Sequence, residues 1–286
     1  MGTLYVVATP IGNLGDMSPR AVQTLKDVDL IAAEDTRVTM KLCQVFDIHT
    51  RLVSCHQHNE DEKGQWIADK MAEEGISVAV TTDAGTPCIS DPGYGLVKAC
   101  IDRNIPVIPV PGCSASISAL SISGLDTREF AFYGFLPRGK KELSEKLTEM
   151  SKGVNIAVVH ESPHRVQELL TVLEQVSPQA YVVSCCDLTK LHEKTVRGPV
   201  GEVLDALKND PKAEKGEYCL VFDFGKKQDV VEEKNELTNI SLEAQLTELM
   251  VEGMNLREAQ EELFNRGTKK NAVKQAALHL KKMFEE

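Results

Sequence analysis

Residues 78–116 read VAVTTDAGTPCISDPGYGLVKACIDRNIPVIPVPGCSAS, and this stretch decides the fold class. Two apolar runs, Val78–Val80 and Ile105–Val110, predict β-strands, and a helical segment at Tyr94–Arg103 separates them. Each run is followed by a loop of small residues, at 83–87 and at 111–116. This order is typical of an open α/β sheet, in which ligands bind outside the carboxyl ends of the strands. We expect the two loops to form two walls of one cofactor site.

The composition indicates a water-soluble protein with more than one domain. The 286 residues are enough for two ordinary domains, and 42% hydrophobic residues allow a core in each. No apolar run approaches the roughly 20 residues of a membrane span, and the first residues lack the basic start of a signal peptide. We expect a cytoplasmic protein without membrane contact.

The spacing of cysteine and histidine supports neither disulfides nor a metal site. The eight cysteines include no C-x-x-C pair and no export signal precedes them, so reduced thiols are expected. His56 and His58 follow Cys55, but this spacing matches no compact zinc signature, and we expect no metal. His58 is interpreted as part of a polar loop at a cleft, with a simple helix cap as the alternative.

A second run of alternating strands and helices follows the first. Its predicted strands are residues 130–135, 155–159, 181–186 and 217–224. The fold class is therefore α/β, with two α/β domains and a helical tail. We place the N-terminal domain at 1–126, the C-terminal domain at 127–226, a linker at 227–238 and the tail at 239–286.

Charge is distributed unevenly along the chain. The net charge of −11 argues against nonspecific coating of nucleic acid. Leu263–Phe284, however, contains six bases and no acids. Two helices joined by a Gly-centred turn, the second beginning at Lys269-Lys270, form a helix-turn-helix pattern, an arrangement that can place basic side chains against phosphates. A capping bundle with a solvated basic face is the alternative.

Carboxylates and arginines follow the predicted strands. Glu34, Asp35 and Arg37 follow one strand, and Glu161 and Arg165 follow another. A carboxylate at a cleft edge can orient or deprotonate a hydroxyl, and an arginine fork matches phosphate oxygens. Helix capping by Asp35 or Thr36, with Glu34 and Arg37 as a solvated pair, is the structural alternative for the first group.

A basic corner opens the predicted helix that ends near Met150. It consists of Arg138, Lys140 and Lys141. Cations at a helix N-terminus oppose the helix dipole, which indicates an anionic ligand, and a solvated helix start is the alternative.

Short motifs in order along the chain resemble one known family. They are LY and TPIGNL at 4–14, AAEDTR at 32–37, HNE at 58–60, DAGTP at 83–87, SDPG at 90–93, PG at 111–112, GFLP at 134–137, ESPHR at 161–165, LTK at 188–190 and KKNA at 269–272. The chain resembles the small-subunit ribosomal RNA cytidine 2′-O-methyltransferases of the tetrapyrrole methylase superfamily.

The resemblance implies an activity, a cofactor and partners. S-adenosylmethionine would bind in the cleft between the two α/β domains of one chain, and the protein would form a homodimer. The reaction would be methyl transfer to the ribose 2′-hydroxyl of a cytidine in 16S ribosomal RNA of the small ribosomal subunit. No metal and no membrane are implied.

Site residues follow by motif position. The cofactor would be bound by Pro10, Asp83, Ala84, Gly85, Thr86, Ile89, Ser114, Ala115, Ser116 and Phe135. The residues expected to orient or deprotonate the hydroxyl are Glu34, Glu161, His58 and Asp35. The RNA contacts would be Arg37, Arg138, Lys140, Lys141, Arg165, Lys190, Lys269 and Lys270.

The chain also departs from the family pattern. Cys185-Cys186-Asp187 replaces the usual Ala-Arg-Glu, Cys113 replaces a proline, and His160 replaces a tyrosine. The arginine lost at Cys186 would weaken RNA contacts. Two other functions stay open: a methylase of a tetrapyrrole or another small molecule, which the basic tail disfavours, and a non-catalytic RNA-binding module.

Overall fold

The structure is a computed structural model that describes residues 2–57, 59–225, 241–251, 253–266 and 268–284. The chain divides into two compact units, Met1–Lys226 and Lys227–Glu286. The first contains two five-stranded sheets, and the described part of the second is helical. The predicted linker at 227–238 lies outside the described residues. Within the described ranges, no helix is long and apolar enough to cross a membrane.

The first sheet is entirely parallel. Its strands are β1 (Leu4–Val7), β2 (Leu30–Ala33), β3 (Leu52–Ser54), β4 (Val78–Thr81) and β5 (Val107–Val110), in the order β3-β2-β4-β1-β5. Its helices are α1 (Pro19–Asp27), α2 (Thr36–Val45), α3 (Glu60–Glu74), α4 (Tyr94–Asp102) and α5 (Ala115–Ser123). Every residue of β2 and β4 is buried, as expected for strands covered on both faces. All five carboxyl ends therefore lie along one edge.

The second sheet is mixed. Its strands are β6 (Ala131–Phe135), β7 (Ile156–Glu161), β8 (Tyr181–Cys186), β9 (Lys194–Pro199) and β10 (Tyr218–Asp223), in the order β6-β7-β10-β8-β9. Only β6 and β7 pair in parallel. Its helices are α6 (Lys140–Gly153), α7 (Val166–Val176) and α8 (Val200–Lys208). The α/β class with two sheets is confirmed.

Two sequence predictions in this half need correction. Strand β9 was not predicted, because KTVRGP contains one large apolar residue and lies at the sheet edge, where little burial is required. Strand β7 extends to Glu161 rather than ending at Val159, so His160 and Glu161 lie in the sheet and not in a loop.

The second sheet is covered on both faces. One face packs against α6, α7 and α8 through a core that includes Leu147, Leu170, Leu204 and Phe222. The other face packs against α5 through a cluster that includes Ala119, Leu120 and Val221. Because α5 follows β5 of the first sheet, this contact fixes the two sheets relative to each other.

The predicted helical tail is confirmed. It consists of α9 (Leu242–Val251), α10 (Leu256–Asn265) and α11 (Lys270–Phe284). Asn255 caps α10 in the predicted capping box with Glu258. The helices share a core of their own, formed by Leu246, Leu249, Ala259, Leu263, Val273, Ala276, Ala277 and Leu280.

Candidate active site

Three loops at the carboxyl edge of the first sheet are joined by hydrogen bonds. The Thr9 and Gly85 backbones exchange two hydrogen bonds, of 2.9 and 3.1 Å between nitrogen and oxygen. The Thr86 hydroxyl donates to the Cys113 carbonyl at 3.0 Å. Gly85 has φ +90°, a conformation that favours glycine. The loops after β1, β4 and β5 therefore form one surface, which contains most of the residues expected to bind the cofactor.

Two carboxylates on this surface hold the loops after β2 and β4 together. The Asp83 amide donates to Glu34 Oε2 at 3.2 Å, and the Asp35 amide donates to Asp83 Oδ1 at 3.1 Å. The exchange is reciprocal, because each loop supplies a carboxylate to the other loop's backbone. Glu34 remains half-buried at the edge of the cleft.

The same carboxylates oppose each other's ionisation. Burial is the main cause that raises the pKa of Glu34, and Asp83 and Asp35 add to it. Burial likewise raises the pKa of Asp83. Asp91, in the loop after β4, has its pKa raised to about 6 by the loss of water around its carboxylate and by the charges of Glu34 and Asp83. A carboxylate with a raised pKa is better matched to accept a proton near neutral pH. The sequence reasoning did not select Asp91.

Asp35 is committed to another role. Its Oδ1 accepts a hydrogen bond from the Arg37 amide at 2.8 Å and so caps α2, and its carboxylate also accepts from the Arg37 guanidinium. These bonds lower the pKa of Asp35 to about 2. The capping alternative describes this residue, and the strongly ionised carboxylate is a weak base.

Glu161 faces away from the loops of the first sheet. It pairs with Tyr218 across β7 and β10, and residues directly opposite in an antiparallel ladder share a face. Tyr218 belongs to the core under α6, α7 and α8. Glu161 is 3% exposed, its Oε1 accepts from the Ser162 amide at 2.7 Å, and its Oε2 lies 3.5 Å from the Arg165 guanidinium. Burial raises its pKa.

His160 instead faces the cofactor loops. Its Nε2 lies 3.1 Å from Ser116 Oγ at the start of α5, and its ring contacts Phe132 and Phe135 edge-on, with centroids 5.2 and 5.8 Å away. Burial lowers the pKa of His160, which favours the neutral imidazole. The sequence reasoning noted His160 only as a departure from the family. The strand period of two would have identified it, because His160 and Glu161 must lie on opposite faces.

A close approach joins β6 to the loop after β4. Gly134 has φ +62°, and a Cβ atom there would lie 2.8 Å from Ser90 Oγ. Ile89 and Phe135, both expected to bind the cofactor, are the chain neighbours of Ser90 and Gly134 and are 53% and 64% exposed. Two large apolar side chains are thus presented to solvent beside the same contact.

A cavity of about 340 Å³, called here the first cavity, lies where the loops of the first sheet meet the second. Pro10, Asp83 and Ala84 line it together with Lys190. The Lys190 Nζ lies 2.8 Å from Asp187 and 3.0 Å from Glu217, so two carboxylates balance its charge. The cavity therefore brings residues expected for the cofactor next to one expected for RNA.

The remaining basic residues lie at the surface. Lys140 and Lys141 are 79% and 88% exposed in their side chains, with distant ion pairs to Glu168 and Glu145 at 3.7 and 4.0 Å. Arg165 is the exception, because its side chain is only 20% exposed, and it donates to the Pro137 carbonyl at 2.8 Å. The other exposed bases of this set are Arg37, Arg138, Lys269 and Lys270.

Two predictions cannot be placed on this geometry. His58 lies outside the described residues. Among the residues that the structure does describe, no group of three or more His, Cys, Asp or Glu side chains is arranged to hold a metal ion.

Comparison with known proteins assigns the chain to a family of methylases. The family model "Tetrapyrrole (Corrin/Porphyrin) Methylases" matches residues 3–204. The chain belongs to this family, and the resemblance deduced from the motifs is confirmed at that level.

Curated relatives cover most of the chain. A protein of Haemophilus influenzae is 38% identical over 98% of both chains, and one of Bacillus subtilis is 40% identical over 91% of this chain and 88% of its own length. A protein of Halalkalibacterium halodurans is 46% identical over 77% of this chain and 75% of its own. All three are named "Ribosomal RNA small subunit methyltransferase I".

Solved structures share the fold at lower identity. Uroporphyrin-III C-methyl transferase from Thermus thermophilus, complexed with S-adenyl homocysteine, has 17% identity and a TM-score of 0.53, covering 78% of this chain and 97% of its own. Diphthine synthase has 12% identity and a TM-score of 0.60, covering 78% and 90%. At these identities the likeness concerns the fold alone.

Proposed function

We propose that this protein transfers the methyl group of S-adenosylmethionine to the ribose 2′-hydroxyl of a cytidine in 16S ribosomal RNA. The observation that carries the proposal is the position of Glu34, a carboxylate of raised pKa held by the Asp83 amide on the surface expected to bind the cofactor. The names and full-length similarity of the relatives support ribosomal RNA as the substrate.

The residues present fit the proposed cofactor. Small residues allow close backbone approach, and at Gly112 even a Cβ atom would lie 3.0 Å from that of Ala8. Ile89 and Phe135 offer exposed apolar surface, and Ser116 and Thr86 supply hydroxyls. The nearby carboxylates Glu34, Asp83 and Asp91 suit a cationic sulfonium. When bound, the cofactor supplies an electrophilic methyl group.

Glu34 is proposed to accept the proton of the ribose hydroxyl. A hydroxyl is a poor nucleophile unless a base removes or orients its proton. Glu34 is half-buried and has a raised pKa, whereas Asp35 is paired with Arg37 and Glu161 is enclosed beside Arg165. Of the three described candidates, Glu34 best combines access with basicity.

Exposed cations are proposed to bind the RNA backbone. Helix N-termini already favour anions, and two of them carry extra positive charge: α6 with Arg138, Lys140 and Lys141, and α11 with Lys269 and Lys270.

The protein is proposed to act in the cytoplasm on the small ribosomal subunit and to form a homodimer. Light scattering on the purified protein would measure its mass in solution and so test the dimer.

The proposal is tested by transfer of label from S-adenosylmethionine to small subunits from a strain that lacks the modification. Label is expected in a 2′-O-methylated cytidine identified by mass spectrometry, and Lys269→Ala/Lys270→Ala should weaken RNA binding about tenfold at low salt. The exposed pair Lys152→Ala/Lys208→Ala is the control. Label in a porphyrinoid instead of RNA, or cofactor binding with no transfer to either, would overturn the proposal.

A further inference from the structure

A second cavity, of about 360 Å³, lies at the β8–β9 edge of the second sheet. Ser184 and Cys186 from β8 and Val196 from β9 line it. Ser184 and Val196 are direct partners in the β8–β9 ladder, so their side chains lie side by side on one face. Leu207 and Tyr218 complete a largely apolar lining. A cavity of this size and character suits a small organic group.

One hydroxyl that lines this second cavity lacks a hydrogen bond to any residue that the structure describes. Ser184 is 2% exposed, and its Oγ makes no hydrogen bond within the described part of the chain. A buried hydroxyl without a hydrogen bond is costly. A ligand with a hydrogen-bonding group at this depth would remove that cost.

The mouth of the cavity has an excess of positive charge. Its two carboxylates are already paired, Asp210 with Lys194 at 2.7 Å and Asp187 with Lys190 at 2.8 Å. Lys212 and Lys215 also line the cavity, and neither forms an ion pair with a described residue. The charge of Lys212 also acts on Asp210, but three lysines line the cavity against two carboxylates, and this excess favours an anion at the mouth.

One ion-paired wall separates the two cavities. Asp187 lines the second cavity, while Lys190 and Glu217 line the first. Lys190 Nζ contacts both carboxylates, at 2.8 and 3.0 Å. A bound RNA strand that occupies the first cavity would therefore cross this wall to reach the second.

We propose that the second cavity binds one nucleotide of the RNA substrate, with its base against the apolar lining and Ser184 and its phosphate at Lys212 and Lys215. This rests on the proposed function. Unpaired bases of RNA are commonly splayed out and read in such pockets. Cys186 belongs to the same argument, because its short side chain lines the cavity and leaves space for a base.

Nuclear magnetic resonance on the whole protein locates the site without requiring turnover. Cytidine 5′-monophosphate, cytidine and inorganic phosphate are titrated separately. We expect cytidine 5′-monophosphate to shift the amide resonances of β8 and β9 and to bind more tightly than either fragment. Equal binding of phosphate alone, shifts confined to the first cavity, or no shifts would overturn the proposal.

Paired variants test each part of the site. Lys212→Ala/Lys215→Ala should lower the affinity for cytidine 5′-monophosphate about tenfold and remove its advantage over cytidine, with the exposed Lys208→Ala on α8 as control. Cys186→Met should fill the cavity and weaken all three ligands, whereas Cys186→Ser should bind normally. If Lys212→Ala/Lys215→Ala and Cys186→Met both bound cytidine 5′-monophosphate with wild-type affinity, the proposal that the second cavity binds a nucleotide would be wrong. If the wild-type protein binds cytidine 5′-monophosphate in this cavity but transfers no methyl group to small subunits, the proposed function is refuted and the nucleotide site is not.

Discussion

The two sheets present their strand-end glutamates differently. Glu34, after β2, exchanges hydrogen bonds with the neighbouring loop and keeps contact with solvent at the cleft edge. Glu161, the last residue of β7, is enclosed between the Ser162 amide and Arg165 on the helix-covered face. Burial raises the pKa of both. A raised pKa alone therefore does not identify a base, and only the carboxylate that a substrate can reach is suited to proton transfer.

The strongest test of this contrast is Glu34→Gln. Glutamine keeps the shape and can still accept from the Asp83 amide, but it cannot take a proton. We expect the single-turnover rate of methyl transfer to fall about 100-fold or more, with little change in S-adenosylmethionine affinity measured by calorimetry.

The control for that variant is the exposed Glu73→Gln on α3, which should retain the wild-type rate. If Glu161→Gln lost as much rate as Glu34→Gln without losing stability, the contrast between the two glutamates would be wrong.

The next effect is structural and belongs to Glu161. Glu161→Ala removes the acceptor of the Ser162 amide and leaves the Arg165 guanidinium without its carboxylate. We expect the free energy of unfolding in urea to fall by about 1.5–3 kcal/mol, the usual range for hydrogen bonds to charged groups. Methyl transfer at low temperature, measured on the folded fraction, should change less than threefold. A larger change would place Glu161 in the chemistry.

The contact between the two halves is tested at Gly134. An alanine there would be strained at φ +62° and would bring Cβ to 2.8 Å from Ser90 Oγ. We expect Gly134→Ala to cost about 1–3 kcal/mol of stability and to weaken cofactor binding, because Ile89 and Phe135 flank the contact. Gly153→Ala is the matched control, since a Cβ there meets nothing within 4 Å. If Gly134→Ala bound S-adenosylmethionine with wild-type affinity, the contact between Gly134 and Ser90 would have no role in cofactor binding.

How much of this was predictable from sequence differs between the sheets. The loops at 83–87 and 111–116 were identified correctly as neighbours, because in a parallel sheet all carboxyl ends share an edge. In the mixed sheet that rule fails. Extending β7 by two residues decided that His160, not Glu161, faces Ser116, and β9 carried too little apolar signal to be recognised. The role of Asp35 could not be decided from sequence, because a carboxylate that follows a strand can either cap the next helix or act on a substrate at the cleft.

The smallest expected effect concerns Asp91 in the carboxylate cluster of the first sheet, which also contains Glu34 and Asp83. The pKa of Asp91 is about 6 in the folded protein against 3.8 for the unperturbed group. The folded state therefore binds this proton more tightly than the unfolded state, and stability is lost as pH rises between those values. Asp91→Asn cannot ionise, so it should melt a few degrees above wild type when the pH exceeds about 6, and the difference should vanish below pH 3.8. Thermal unfolding across this range, with the exposed Asp27→Asn as control, measures the difference. A constant offset at every pH would mean that Asp91 acts through packing rather than through the burial of its charge and the repulsion from Glu34 and Asp83.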